Sequence, residues 1–173
     1  INGNNLQQSG DIPMGVWKNI CRTYFILQDS SVISLDISGS LTQSSYSNDI
    51  SLNSITSVII GNTVTDLSFN GAGAFENCQF LSSVTIPATV TSIGDQSFRD
   101  CSNLSVVTFE ADSQLTTIGH TAFYQTSSLT SIIIPKGVTS IGDQSFYLAT
   151  SLATVTFEAD SQLTTIGHTA FYQ

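Results

Sequence analysis

LSSVTIPATVTSIGDQSFRDCSNL, residues 81–104, is one unit of an internal repeat, and its reading decides the fold. The segment VTSIGDQSF at 90–98 returns unchanged at 138–146. Downstream, the residues VTFEADSQLTTIGHTAFYQ at 107–125 return at 155–173. Both pairs are displaced by 48 residues, and self-similarity at a fixed period marks a repeat architecture. A half-period lies inside it. Phe75, Phe98, Phe123, Phe146 and Phe171 are spaced 23, 25, 23 and 25, and Ile-Gly recurs at 93–94, 118–119, 141–142 and 166–167. The shorter unit turns through a proline, in IPATV (86–90) and IPKGV (134–138). The longer turns through FEADSQL (109–115 and 157–163), which carries two more residues between the same apolar positions.

Physical chemistry assigns roles within 81–104. The two-residue alternation of a strand turns Leu81, Val84 and Ile86 inward and Ser83 and Thr85 outward. VTSIG reads as a second short strand burying Val90 and Ile93, with Gly94 making a tight corner at positive φ. DQSFRDC then predicts a short helical or 3₁₀ turn that places Phe98 and Cys101 inside. One unit cannot bury its apolar face alone, whereas stacked units can, with parallel strands advancing roughly 4.8 Å per unit. Unit starts fall at Val32, Ile55, Leu81, Leu104, Leu129 and Leu152. The expected organisation is therefore an N-terminal extension over 1–31 and a six-unit solenoid over 32–173, with units of 23–26 residues and the last incomplete. Residues 11–25 have a helical period: Val16, Trp17, Ile20, Cys21, Tyr24 and Phe25 share one face, behind an Asp11 N-cap and Pro13. This predicts a helix capping the first coil.

Composition narrows the function. Of 173 residues, 13 are acidic and 4 basic, for a net charge of −9. So few cations exclude a basic footprint on nucleic acid or an anionic membrane surface. Hydrophobic residues make up 40%, enough for a core. The polar surface rests on 27 serines and 21 threonines rather than on charge, which suits a secreted or surface-exposed chain. No apolar run has the length of a transmembrane segment. The sequence opens at Ile1 without a Met or signal-like segment, which reads as a processed product or a fragment.

The pattern LxxVxIPxxVTSIGxxxFxxCxxL in 81–104 closely resembles the BspA-like (Treponema pallidum-type) leucine-rich repeat family. The resemblance is strong over 75–173, weaker over 32–74 and absent before. The family's Ala-Phe stands at 74–75, 122–123 and 170–171, and becomes Ser-Phe at 97–98 and 145–146. Its cysteine stands at Cys78 and Cys101, with Thr126 and Ala149 at the matching positions, so a small buried side chain is what the site needs. No asparagine follows at the usual ladder position, so no asparagine ladder is expected. The resemblance implies an α/β, strand-dominated leucine-rich-repeat solenoid, extracellular or cell-surface display, and adhesion through macromolecular binding.

No GxSxG, HExxH, CxxC or phosphate-binding glycine loop occurs, so neither enzymatic activity nor a cofactor is expected. His120 and His168 are equivalent positions two units apart, with no third metal ligand in the motif. Glu110/Asp112 and Glu158/Asp160 supply too few oxygens for calcium, which takes at least six. Cys78 and Cys101 fall on adjacent units and read as free inward thiols, although a bridge between them is sterically conceivable. The predicted binding face consists of Ser83, Thr85, Val106, Thr108, Ser131, Ile133, Thr154 and Thr156, in columns that extend back to Ser34, Asp36, Ser57 and Ile59. A second column, Thr65, Thr91, Thr116, Thr139 and Thr164, reads either as threonine suited to exposed strands or as a row of hydroxyls for binding or O-glycans. Asn103-Leu104-Ser105 is the one N-glycosylation sequon. Expected partners are an extracellular protein or glycan, or neighbouring copies of the chain. The alternatives are a structural subunit assembling head-to-tail through open solenoid ends, possible because such contacts need not close, and an ice-binding protein, on the strength of the threonine column.

Overall fold

In a computed structural model of the protein, residues 33–35, 57–60, 62, 64–67 and 73–173 are described, with side chains from Ile60 onward. The expected helix at 11–25, the rest of the 1–31 extension, and the side chains of Ser34, Asp36, Ser57 and Ile59 lie outside the described residues. Ten strands follow in order: β1 (Ile33–Leu35), β2 (Ser57–Ile60), β3 (Ser83–Ile86), β4 (Ser92–Ile93), β5 (Val106–Phe109), β6 (Thr117–Ile118), β7 (Ser131–Ile134), β8 (Ser140–Ile141), β9 (Thr154–Phe157) and β10 (Thr165–Ile166). Every ladder is parallel. The four-residue strands β2, β3, β5, β7 and β9, with β1, stack on one face, and the two-residue strands β4, β6, β8 and β10 stack on another. This is a strand-dominated solenoid with no helix among the described residues.

The core follows the alternation. Val84, Ile86, Val107, Ile132 and Ile134 are buried from the long strands, and Ile93, Ile118 and Ile141 from the short ones. Between the two sheets runs a file of phenylalanines. Phe75, Phe98, Phe123, Phe146 and Phe171 stack ring on ring at 5.0–5.2 Å, with planes within 9° of parallel. Such offset-stacked pairs add roughly 0.5–1.5 kcal/mol each beyond their area burial.

The turn carrying those rings differs from the helical or 3₁₀ turn expected. Odd-numbered amides close back three residues, as a 3₁₀ turn would: Ser97 to Gly94, Arg99 to Gln96, Cys101 to Phe98. The intervening amides point along the solenoid instead. Gln96, Phe98 and Asp100 donate to the carbonyls of His120, Ala122 and Tyr124 on the next coil, at 2.7–2.9 Å. Left-handed residues produce this alternation, at Gln96, Thr121, Gln144 and Thr169, and again at Asn77, Asp100, Gln125 and Leu148, all with φ between 49° and 63°. A helix would have kept its amides within one coil; this turn spends half of them on its neighbour.

The Ile-Gly glycines also differ from expectation. At Gly119, Gly142 and Gly167 the positive φ falls two residues later, and the glycine is required by close approach. A Cβ on Gly142 would sit 2.6 Å from the Gly119 carbonyl carbon, and one on Gly167 would sit 2.3 Å from the Asp143 amide nitrogen. The cysteine reading is corrected as well. Cys78 stands in a disulfide, so it is not a free thiol. Cys101 is free and buried, and its Sγ lies 3.0 Å from the Phe75 carbonyl on the coil before. Burial holds the Cys101 thiol far above its ordinary pKa, against a weaker lowering by its backbone hydrogen bonding. Thr126 and Ala149, at the matching positions, are buried too, which fits a site that needs a small side chain.

Candidate functional site

The long-strand face presents the expected residues. Thr85, Val106, Thr108, Ser131, Ile133, Thr154 and Thr156 are exposed and Ser83 is half-buried. Register fixes their neighbours: Ser83 lies beside Val106 and Thr85 beside Thr108, then Ser131 beside Thr154 and Ile133 beside Thr156. Hydroxyls dominate this face, yet Val106 is 51% and Ile133 58% exposed. Both flank an interruption. No ladder joins β5 to β7 among the described residues, so the face divides into β1-β2-β3-β5 and β7-β9. Glu110 and Glu158 donate their amides to Ile86 and Ile134 at the end of their strands, whereas the matching residue after β7 is Pro135, which has no N–H for Phe109. Pro87 stands in the same place after β3, where β2 and β3 still pair, so the proline removes one terminal bond and does not account for the interruption.

The threonine column has a structural task that its spacing did not disclose. Thr91, Thr116, Thr139 and Thr164 each donate a hydroxyl to the carbonyl of the preceding threonine, Thr65, Thr91, Thr116 and Thr139, at 2.9–3.2 Å. It works as a hydroxyl ladder between coils, in the role an asparagine ladder plays elsewhere. The acidic residues also bridge coils. Glu110 and Glu158 accept the amides of Ala88 and Lys136 on the preceding proline turns, at 3.0 and 2.9 Å. Asp95 and Asp143 accept the amides of His120 and His168 on the following coils, at 2.8 and 2.7 Å. Among the described residues, no three of His, Cys, Asp and Glu stand close enough to hold a metal ion. Asn103 is exposed on the turn before β5.

A second surface feature escaped the sequence reading. Along the outer side of the phenylalanine turns runs an open groove of about 560 Å³, crossing four coils. Four coils each line it with two residues: Asn77 and Gln79, Asp100 and Ser102, Gln125 and Ser127, and Leu148 and Thr150. The signal that could have found it is the residue two after each phenylalanine. Asn, Asp and Gln recur there, and Asn and Asp tolerate the left-handed conformation well. Beside the groove, Tyr124, Tyr147 and Tyr172 stack at 5.2–5.5 Å, and Arg99 lies over the Tyr124 ring. The Arg99 Nε approaches Asp100 Oδ2 at 3.3 Å, an ion pair without a well-aligned hydrogen bond.

With this geometry in place, the family model described as BspA type Leucine rich repeat region matches residues 69–173, in six copies. The chain belongs to this family. Among solved structures, this BspA-type chain is similar to the pneumococcal vaccine antigen PcpA, at 28% identity and a TM-score of 0.53, over 63% of this chain and 28% of that one. It is similar to the T. pallidum leucine-rich repeat protein at 28% identity and a TM-score of 0.59, over 68% of this chain and 54% of that one. A leucine-rich cell surface protein of Faecalibacterium prausnitzii shows 25% identity and a TM-score of 0.57, over 83% of this chain and 45% of that one. The chain thus spans about a quarter to half the length of these relatives. No curated protein matches it. No helix among the described residues is long and apolar enough to cross a membrane.

Proposed function

We propose that this chain is part of a non-enzymatic, surface-displayed protein that adheres to an extracellular protein through its long-strand face. The array is read as beginning at residue 32, and the contact surface as Ser83, Thr85, Val106, Thr108, Ser131, Ile133, Thr154 and Thr156. The observation that carries the reading is the pair Val106 and Ile133, exposed where the other six of these positions carry hydroxyls. Apolar side chains set in a polar surround, at an interruption of the sheet, are what a protein partner desolvates. Surface display is supported by the Faecalibacterium relative, described as a cell surface protein, and by the pneumococcal antigen.

Charge is absent from these eight positions, so affinity should change little between low and physiological salt. The test uses a panel of extracellular matrix proteins and measures capture by the wild-type chain, Thr108→Arg and Ile133→Arg. Both variants place a charge at an exposed position and should fold. Loss of at least about tenfold in affinity, equivalent to roughly 1.4 kcal/mol, is expected from each. If both keep every partner unchanged, the contact surface lies elsewhere.

A further inference from the structure

We propose that the groove beside the phenylalanine turns is a separate binding site, for a neutral, extended polysaccharide lying along the solenoid axis. Its size, about 560 Å³, is that of a ligand site. Its lining is not that of an apolar-ligand pocket. Each of the first three coils contributes two polar side chains two positions apart, Asn77 with Gln79, Asp100 with Ser102 and Gln125 with Ser127, and the fourth contributes Leu148 and Thr150. Amides offer donors and acceptors together, and hydroxyls do the same, which suits a polyhydroxylated ligand. Among the described residues, no side-chain hydrogen bond engages the Asn77 or Gln125 amides, so both are available. Their backbones are fixed, because the Asn77 and Gln125 N–H groups are held by Arg99 and Tyr147 carbonyls at 2.7 and 2.9 Å. The backbone therefore needs no ordering on binding, and only the side chains lose rotamer freedom.

Charge and pitch select the ligand class. The one carboxylate in the groove, Asp100, is paired with Arg99, and the whole chain carries −9, so an acidic polymer is repelled. Coils repeat at roughly 4.8 Å, which is close to the advance of one sugar ring in an extended β-linked chain. One ring therefore falls on each coil, and because alternate rings of such a chain are turned over, the same ring edge returns to an equivalent position on every second coil. A peptide strand advances roughly 3.3 Å per residue and repeats its side chains at roughly 6.6 Å, out of step with the coils.

The experiment titrates the chain with neutral β-1,4-linked hexasaccharides of glucose and of N-acetylglucosamine, and with an extended Ser/Thr peptide, by NMR or calorimetry. Saturable binding of a hexasaccharide is expected. The double variant Asn77→Gly/Gln125→Gly should weaken it about tenfold or more, with the fold retained because glycine accepts their φ of 63° and 56°. Leu148→Asn supplies an amide on the fourth coil, at φ 58°, and should tighten binding about threefold. Ile133→Arg, on the strand face, should leave hexasaccharide binding unchanged. The proposal is overturned if neither hexasaccharide binds, if the double variant binds as the wild type does, if the peptide binds more tightly, or if Ile133→Arg abolishes the interaction.

Discussion

Two serines in the same structural position behave differently, and the difference can be measured. Ser97 Oγ donates within reach of two carbonyls, Leu67 at 2.9 Å on the preceding coil and Gly94 at 2.7 Å. Ser145 Oγ, one 48-residue period later and equally buried, has no partner. An unsatisfied buried hydroxyl costs about 1–3 kcal/mol, whereas a made hydrogen bond contributes about 1 kcal/mol net. Alanine already occupies the position at Ala74, Ala122 and Ala170, so the backbone accepts it. Ser145→Ala is therefore expected to leave stability unchanged or raise it by up to about 1 kcal/mol, and Ser97→Ala to lower it by about 1 kcal/mol. Urea denaturation midpoints of both variants check this, and an equal loss in both would show that Ser145 has found a partner. The motif Gly-Asp-Gln-Ser-Phe is identical at the two places, so no reading of the local sequence separates them.

The turn that follows each short strand is the element on which stacking depends. Its glycine lets one coil settle on the backbone of the next, and its left-handed residue redirects amides along the axis. Gly142→Ala would force a Cβ to 2.6 Å from the Gly119 backbone, while Gly137→Ala meets nothing nearer than the Leu115 carbonyl oxygen at 3.1 Å. Overpacking of this kind costs about 1–3 kcal/mol, so Gly142→Ala should fall at the top of that range and Gly137→Ala well below it. Comparable losses would mean that the coils can spread. Within the same element, Phe123 is fully buried between Phe98 and Phe146. Phe123→Ala should cost about 3–5 kcal/mol; calorimetry or denaturant titration giving less than about 1 kcal/mol would mean that the file is not packed as described.

At the scale of the whole molecule, 23- and 25-residue units alternate from Leu81 onward, and so do the chemistries joining them. Proline turns lack the amide that ends each ladder, and glutamate turns supply it while also capping the proline turn before. Stability in such an array is approximately a sum of unit terms and nearest-neighbour contacts. The value of a neighbour is visible in one column: Ile118 and Ile141 are fully buried, while Ile166, on the last coil of this sequence, is 52% exposed. Appending a second copy of residues 126–173 after Gln173 keeps the phase, because Gln173 matches Gln125. The enlarged chain should melt several degrees higher and show a larger denaturant slope, which scales with the surface exposed on unfolding. An unchanged or lower melting temperature would mean that adjacent coils are not coupled.

The repeat, the alternation of long strands, the phenylalanine file and the outward direction of the eight strand positions were legible in the sequence, because each depends on spacing within or between units. Leu81, Val84 and Ile86 had only one way to alternate, and five phenylalanines at 23- and 25-residue intervals could only fall in line. What spacing could not disclose depends on which coil a hydrogen bond reaches. The threonine hydroxyls, the Glu110 and Asp95 carboxylates and every second amide of the turn bond across coils, and their partners lie 22–26 residues away. The left-handed residues were missed for the same reason, since only stacking makes that strained conformation favourable. The groove walls and the break between β5 and β7 exist only once coils are superposed, so tertiary structure alone decided them.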